Sequence, residues 1–191
     1  MERAKLLERL APLCEYPGGD FHARCDALGA NLEGSAARAA ADEFRVAVAE
    51  LPLERLQEIY AATFDLNPAC CLYAGYHLFG DSYKRGALMA KLNAEYRSRG
   101  YDPGNELPDH LAVLFRFLAG LDDADLRSEL LEELVLPALD RIVKSFAGTR
   151  NIYARLAKAA FLGLSPEGYA PPRELSRSLP VLEPDEGLVR G

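Results

Sequence analysis

The sequence predicts an all-α protein: a single-domain irregular helical bundle of about eight or nine helices, followed by an extended tail. Three observations predict it. Val, Ile and Thr are sparse before residue 164 while Ala and Leu are abundant, a composition that favours helix over strand. Large apolar side chains recur at spacings of three and four, and no stretch alternates with the period of two that a half-buried strand requires. Pro and Gly clusters mostly fall between these periodic stretches, where they punctuate rather than interrupt.

Leu6, Leu7, Leu10 and Leu13 form the apolar stripe of a first helix, which Pro17-Gly18-Gly19 breaks. Asp20 is placed to cap a second helix carrying Phe21, Cys25 and Leu28, and Gly29 or Gly34 ends it. A third, Ala-rich helix runs over 35–51 with Phe44, Ala47 and Val48 inward. Pro52 suits the first turn of a fourth, where its missing N–H costs nothing, and Leu53, Leu56, Tyr60 and Phe64 follow at helical spacing. After Asn67-Pro68, residues 69–79 read as a short apolar helix closed by Gly80. Asp81 or Ser82 caps the next, which carries Leu88, Met89 and Leu92 and ends at Gly100.

Asp102-Pro103-Gly104-Asn105 is a turn. Pro108 is expected to open a helix with Leu111, Leu114, Phe115, Leu118 and Leu121 on one side. Asp122 is expected to cap the longest helix, in which Pro137 predicts a kink about one turn earlier. Gly148 ends that helix, and a last one spans 152–162. From 165 to 191 the chain holds Pro166, Pro171, Pro172, Pro180 and Pro184 with few large apolar residues, which predicts an extended or disordered tail beyond a helical domain of 1–164.

Hydrophobic residues make up 49% and charged residues 27%, ordinary for a soluble globular chain. A net charge of −7 excludes a non-specific nucleic-acid binder, which needs a basic surface to displace phosphate counterions, and suits a basic peptide partner. No apolar run reaches the ~18–20 residues that span a bilayer, so direct membrane insertion is not expected. Residues 1–10 are charged throughout and lack the apolar core of a signal peptide, so a cytoplasmic location is expected. Cys14, Cys25, Cys70 and Cys71 form no C-x-x-C pair and read as reduced, buried thiols.

Every catalytic pattern fails on a residue it needs. Gly75-Tyr76-His77-Leu78-Phe79-Gly80-Asp81-Ser82 nearly fits a phosphate loop, but Asp81 stands where the loop requires a lysine. His22, His77 and His110 are the only histidines, and none has another at i+3 or i+4, so no helical metal pair is expected. Asp109 beside His110 resembles half of a catalytic dyad, yet adjacent side chains point apart and no Gly-x-Ser-x-Gly elbow supplies a nucleophile.

Glu106-Leu107-Pro108-Asp109-His110-Leu111 is at the least a well-built helix start, but a helix start requires neither Glu106 nor His110. It resembles the signature of the NarJ-type nitrate reductase assembly chaperones, the counterpart of the E-P-x-D-H motif in the wider TorD/DmsD-like group. Tyr60-Ala61-Ala62-Thr63-Phe64-Asp65-Leu66 is similar to that family's Y-x-x-T-F-D-L. His77-Leu78-Phe79-Gly80-Asp81-Ser82-Tyr83-Lys84-Arg85-Gly86, with Met89 following, is similar to its H-x-x-G-[DE]-S-x-x-R-G-x-x-M, although Tyr83 stands where a basic residue is the rule.

The resemblance implies a TorD-like helical fold and a chaperone rather than an enzyme, one that carries no metal or cofactor of its own. Such a protein binds the N-terminal, twin-arginine-like segment of the catalytic subunit of a molybdenum oxidoreductase and assists insertion of the molybdenum cofactor. It implies a monomer, with a helix-swapped dimer as the variant. That role needs an apolar groove and acidic groups. Tyr60, Phe64, Tyr76 and Phe115 are the candidate walls, although aromatics at helical spacing usually pack inward. Asp65, Glu106 and Asp109 are the candidate partners for basic side chains. His77, Pro108 and His110 complete the expected site, with His110 titrating near neutral pH. Two other readings stand beside this one: a nucleotide-dependent enzyme of cofactor delivery, and a purely structural helical adaptor whose aromatics are buried with no adjoining groove.

Overall fold

A computed structural model describes residues 2–29, 32 and 35–170. The described residues form α1 (Glu2–Leu10), α2 (Phe21–Leu28), α3 (Ser35–Ala49), α4 (Leu53–Tyr60), α5 (Ala74–Phe79), α6 (Tyr83–Ser98), α7 (Leu111–Gly120), α8 (Ala124–Leu130), α9 (Leu136–Ser145) and α10 (Tyr153–Leu164). A π turn joins α8 to α9 without a break, so the described residues make nine helical rods. The all-helical expectation holds. Gly29 follows α2, while Gly34 and the tail from 171 onward lie outside the described residues.

Two helices are apolar nearly all round and therefore sit inside the bundle. In α7, every residue from Leu111 to Leu118 except Arg116 is buried. α10 buries Tyr153, Leu156, Ala157, Ala159, Ala160 and Leu164. α10 packs against α3 and α9, α1 packs along α7, and α5 lies between α6 and α9. Glycine is required where α10 meets α1: a Cβ on Gly163 would come within 2.8 Å of Leu6 Cδ2.

Pro137 leaves its mark in the turn before it, as a π turn. It has no N–H to give the carbonyl four residues back, and the preceding turn, Leu131–Val135, opens to π geometry, with the Leu136 N–H donating to the Leu131 carbonyl. A second π turn, Ala61–Asp65, ends α4 and closes with Leu66 N–H on the Ala61 carbonyl at 3.0 Å. Within it Phe64 is buried and Asp65 is exposed.

Four features differ from expectation, the first two where a tertiary bond outcompetes a local one and the last two where a different local bond forms. α7 begins at Leu111, not at Pro108: the Pro108 carbonyl is taken by the Tyr96 hydroxyl at 2.7 Å, and His110, in an extended conformation, is the N-cap. Residues 69–79 are not one helix. A 3-10 turn, Pro68–Cys70, is followed by extended chain, in which Tyr73 forms an antiparallel bridge with His110. Asp123 rather than Asp122 caps α8, accepting from Leu126 N–H at 3.0 Å. Asp20 sits at the start of α2, but its carboxylate holds Arg24 at 2.8 Å instead of capping.

Candidate functional site

The three motif segments come together: the first and third along the chain line one cleft, and a buried ion pair joins the second to the third. Arg85 on α6 donates from Nε to Asp109 Oδ2 at 2.7 Å and from Nη2 to Oδ1 at 3.2 Å. The Asp109 side chain is 0% exposed and that of Arg85 14%. The guanidinium also lies over Tyr73 and Tyr76, 5.3 and 5.7 Å from their ring centres. The backbone completes the knot: Ala74 N–H donates to the Asp109 carbonyl and Leu111 N–H to the Leu72 carbonyl, both at 2.8 Å. Gly75 leaves room for it, since a Cβ there would fall 2.8 Å from Asp109 Oδ2 and 2.9 Å from Leu88 Cδ2.

This corrects one expectation. Asp109 does not present its carboxylate to a client, because the chain's own Arg85 has taken both oxygens out of solvent. Its work is to fix the segment on which Glu106 and His110 stand. The cap that opens α7 comes from His110, whose Nδ1 accepts the Ala112 N–H at 3.2 Å. That bond requires the neutral tautomer with its proton on Nε2. Burial lowers the His110 pKa, against the raising influence of Glu106 and Asp109, so the ring stays neutral at neutral pH rather than titrating there. Tyr73 packs edge-on against it, with ring centres 5.2 Å apart.

Beside the knot opens a cleft of about 460 Å³. Its lining includes Glu15, Tyr60, Asp65, Glu106, His110 and Arg116. The Tyr60 hydroxyl donates to the Cys14 carbonyl at 3.0 Å, and its ring is braced edge-on by Tyr16 and Phe64. Glu106 Oε1 accepts from the Tyr73 hydroxyl at 3.2 Å and from Leu107 N–H at 2.9 Å. Burial and the Glu106 charge push the Tyr73 phenol up to about 12, so it remains the donor in that bond. One large exposed apolar residue lines the opening, and two more adjoin its lining in sequence. Tyr16, 55% exposed, lines it; Leu66, 79% exposed, and Leu107, 43% exposed, each follow a lining residue directly.

Of the expected site residues, Tyr60, Asp65, Glu106 and His110 come together in the cleft. Phe64 and Phe115 do not; both are core, against Leu111 and Tyr153. Pro108 is buried beneath Tyr96. Tyr76 and His77 are half-buried on α5, and His77 Nε2 donates to the Cys71 carbonyl at 2.6 Å. Burial lowers the His77 pKa as well. All four cysteines are free and buried, and burial pushes the thiols of Cys14 and Cys25 up to about 12, which leaves them unreactive. The described residues contain no cluster of His, Cys, Asp and Glu able to hold a metal ion.

Residues 31–147 match the family model described as nitrate reductase delta subunit, which is more than half of the chain. The chain belongs to the nitrate reductase delta subunit family. The nitrate reductase molybdenum cofactor assembly chaperone NarJ of Escherichia coli K12, and that of Escherichia coli O157:H7, are each 36% identical to it over 70 residues. That stretch covers 36% of this chain but only 30% of either relative. A crystal structure from Archaeoglobus fulgidus, described as a redox enzyme maturation protein, shares the fold with a TM-score of 0.57 at 22% identity, over 85% of this chain and 92% of that one.

All ten expected site residues of this delta-subunit family member fall within the matched span, whereas Glu15 and Tyr16 fall outside it. Sequence reasoning missed those two, and it missed Arg85, Tyr73 and Arg116. A signal existed for Arg116, the one charge within the apolar run 111–119. Arg85 lay in a quoted motif, with nothing in its spacing to pair it with Asp109. No membrane-crossing stretch exists among the helices of the described residues: none is long and apolar enough.

Proposed function

We propose that this chain is a cytoplasmic assembly chaperone for a molybdenum oxidoreductase, and that it holds the N-terminal segment of the catalytic subunit in the cleft between the π turn 61–65 and the segment before α7 while the molybdenum cofactor is inserted. One observation carries the reading: a concave cleft lined by Glu15, Asp65 and Glu106 together with the exposed Tyr16, with the exposed Leu66 and Leu107 next in sequence to two of those carboxylates. Exposed apolar side chains around a concavity mark a binding surface. Carboxylates beside exposed apolar side chains fit an amphipathic segment with basic residues, seated as a helix or extended chain.

Family membership supports the same reading, since the matched stretch of both relatives belongs to proteins described as molybdenum cofactor assembly chaperones. The chaperone acts by holding, not by covalent chemistry. The nucleotide-enzyme reading has no support at Asp81, an exposed carboxylate where a phosphate-binding cation is needed. The adaptor reading expected buried aromatics with no adjoining groove; Phe64 and Phe115 fit it, but Tyr60 borders the cleft.

The test is calorimetric titration with a synthetic N-terminal peptide of a nitrate reductase catalytic subunit. Saturable binding in the micromolar range is expected, and weakening of roughly three- to fivefold by Glu106→Gln or Asp65→Asn, the scale of an exposed ion pair. No saturable heat at high micromolar peptide overturns the proposal.

A further inference from the structure

We propose that Arg116 is a built-in stand-in for the client's cation: it occupies Glu15 in the unliganded chain, and a basic side chain of the bound segment displaces it. The inference rests on the peptide-binding reading above. Arg116 is exposed on a helix whose neighbouring positions are buried, and it borders two concavities at once. One is the acidic cleft. The other, about 270 Å³, adjoins it on the side of Arg99, Tyr101 and Asp122. Between them the Arg116 guanidinium reaches Glu15, 101 residues away in the chain, donating from Nη2 to Oε1.

Two properties suit this pair to exchange. Glu15 is held independently on its other oxygen, where Arg24 Nη1 lies 3.6 Å from Oε2. Arg24 is itself fixed by Asp20 at 2.8 Å and by the Pro12 carbonyl at 3.2 Å. Glu15 therefore retains a cation beside it when Arg116 leaves. The second property is weakness: the side chains are 43% and 37% exposed, so solvent screens the pair and opening it costs little.

Opening has two effects on the site. The only arginine in the cleft's lining withdraws from Glu15, Asp65 and Glu106, so the cleft becomes more receptive to a cation. The same movement shifts the one side chain that lines both concavities. The ligand this arrangement takes is an amphipathic peptide with a guanidinium or ammonium group seated on Glu15 Oε1 and apolar side chains against Tyr16, Leu66 and Leu107. Until such a group arrives, Arg116 keeps the Glu15 carboxylate neutralised.

The experiment is a double-mutant cycle on the full chain, read by calorimetry with two probes: the client's N-terminal peptide, and the same peptide with its Arg and Lys replaced by citrulline and norleucine. Circular dichroism checks that each variant folds. Arg116→Gln is expected to tighten the basic peptide roughly three- to fivefold and to leave the neutral one unchanged, and Glu15→Gln to weaken the basic one. In the Glu15→Gln background, Arg116→Gln is expected to bring no further gain. An equal gain in both backgrounds means that Arg116 acts only through net charge, and overturns the proposal. Wild-type binding with no gain in Arg116→Gln also overturns it, and leaves the peptide site standing. No binding by either the wild type or Arg116→Gln overturns both.

Discussion

At the scale of single residues, the most consequential interaction is a buried ion pair. Arg85 and Asp109 are paired in bidentate geometry with Asp109 wholly out of solvent. Breaking such a pair from one side strands a buried charge, at a cost of about 3–5 kcal/mol. Arg85→Ala and Asp109→Ala are therefore each expected to lower unfolding free energy by that order in urea titrations, and to lose peptide binding as a consequence of the loosened 106–110 segment. A stability change under ~1 kcal/mol in either would contradict the assigned role. His110 makes a different prediction. Burial lowers its pKa and that of His77. Between those lowered values and the ordinary ~6.5, the unfolded chain binds more protons than the native one. Stability is therefore complete above about pH 6.5 and falls as the solution is acidified below it. His110→Asn keeps a capping side chain, so it is expected to hold stability at pH 7 while reducing the acid-side loss. Paired denaturation curves at pH 7 and 5 read this directly.

At the scale of elements, two glycines separate close packing from mere flexibility. Gly75 sits in α5 against Asp109 and Leu88, and a Cβ has nowhere to go. Gly75→Ala is expected to destabilise by about 1–3 kcal/mol through overpacking. Gly86 lies in α6 with nothing within 4 Å of an added Cβ. Gly86→Ala is expected to stabilise by about 0.5–1 kcal/mol through helix propensity alone. Thermal melts of the pair, run side by side, distinguish the two positions. The same contrast explains what the sequence made legible. Helices that bury one periodic face, such as α1 with Leu6, Leu7 and Leu10, follow from period and propensity. The stretch 69–79 does not: Leu72 and Tyr73 give up helix for a bridge to a segment nearly forty residues away, and period carries no record of a long-range bond. The start of α7 was misplaced for the same reason, since Tyr96 claims the Pro108 carbonyl. The cleft was half legible. Tyr60, Asp65, Glu106 and His110 came with their motifs, but Glu15 and Tyr16 sit in a loop whose composition says only that a helix has ended.

At the scale of the whole molecule, the proposed peptide site makes a prediction about charge and shape acting together on the rate of association. The chain carries −7 overall, and its cleft gathers Glu15, Asp65 and Glu106 with a single arginine. A basic segment is then drawn toward the opening before any contact forms, because the summed field extends about a Debye length, ~10 Å at 0.1 M salt. Apolar contact with Tyr16, Leu66 and Leu107 follows, and it is insensitive to salt. Association and dissociation should consequently respond differently. Raising ionic strength from ~0.02 to ~0.5 M is expected to slow association about tenfold, while the dissociation rate changes less than about threefold. Stopped-flow mixing with a dye-labelled client peptide gives both constants. The Glu106→Gln and Asp65→Asn variants should flatten the salt dependence of association. Replacing Leu66 or Leu107 with Ser should raise the dissociation rate and leave that salt dependence intact. If salt instead acts mainly on dissociation, the client's charges are buried against the carboxylates rather than steered by them. The apolar side chains would then contribute less to holding the segment than the exposure of Leu66 and Leu107 indicates.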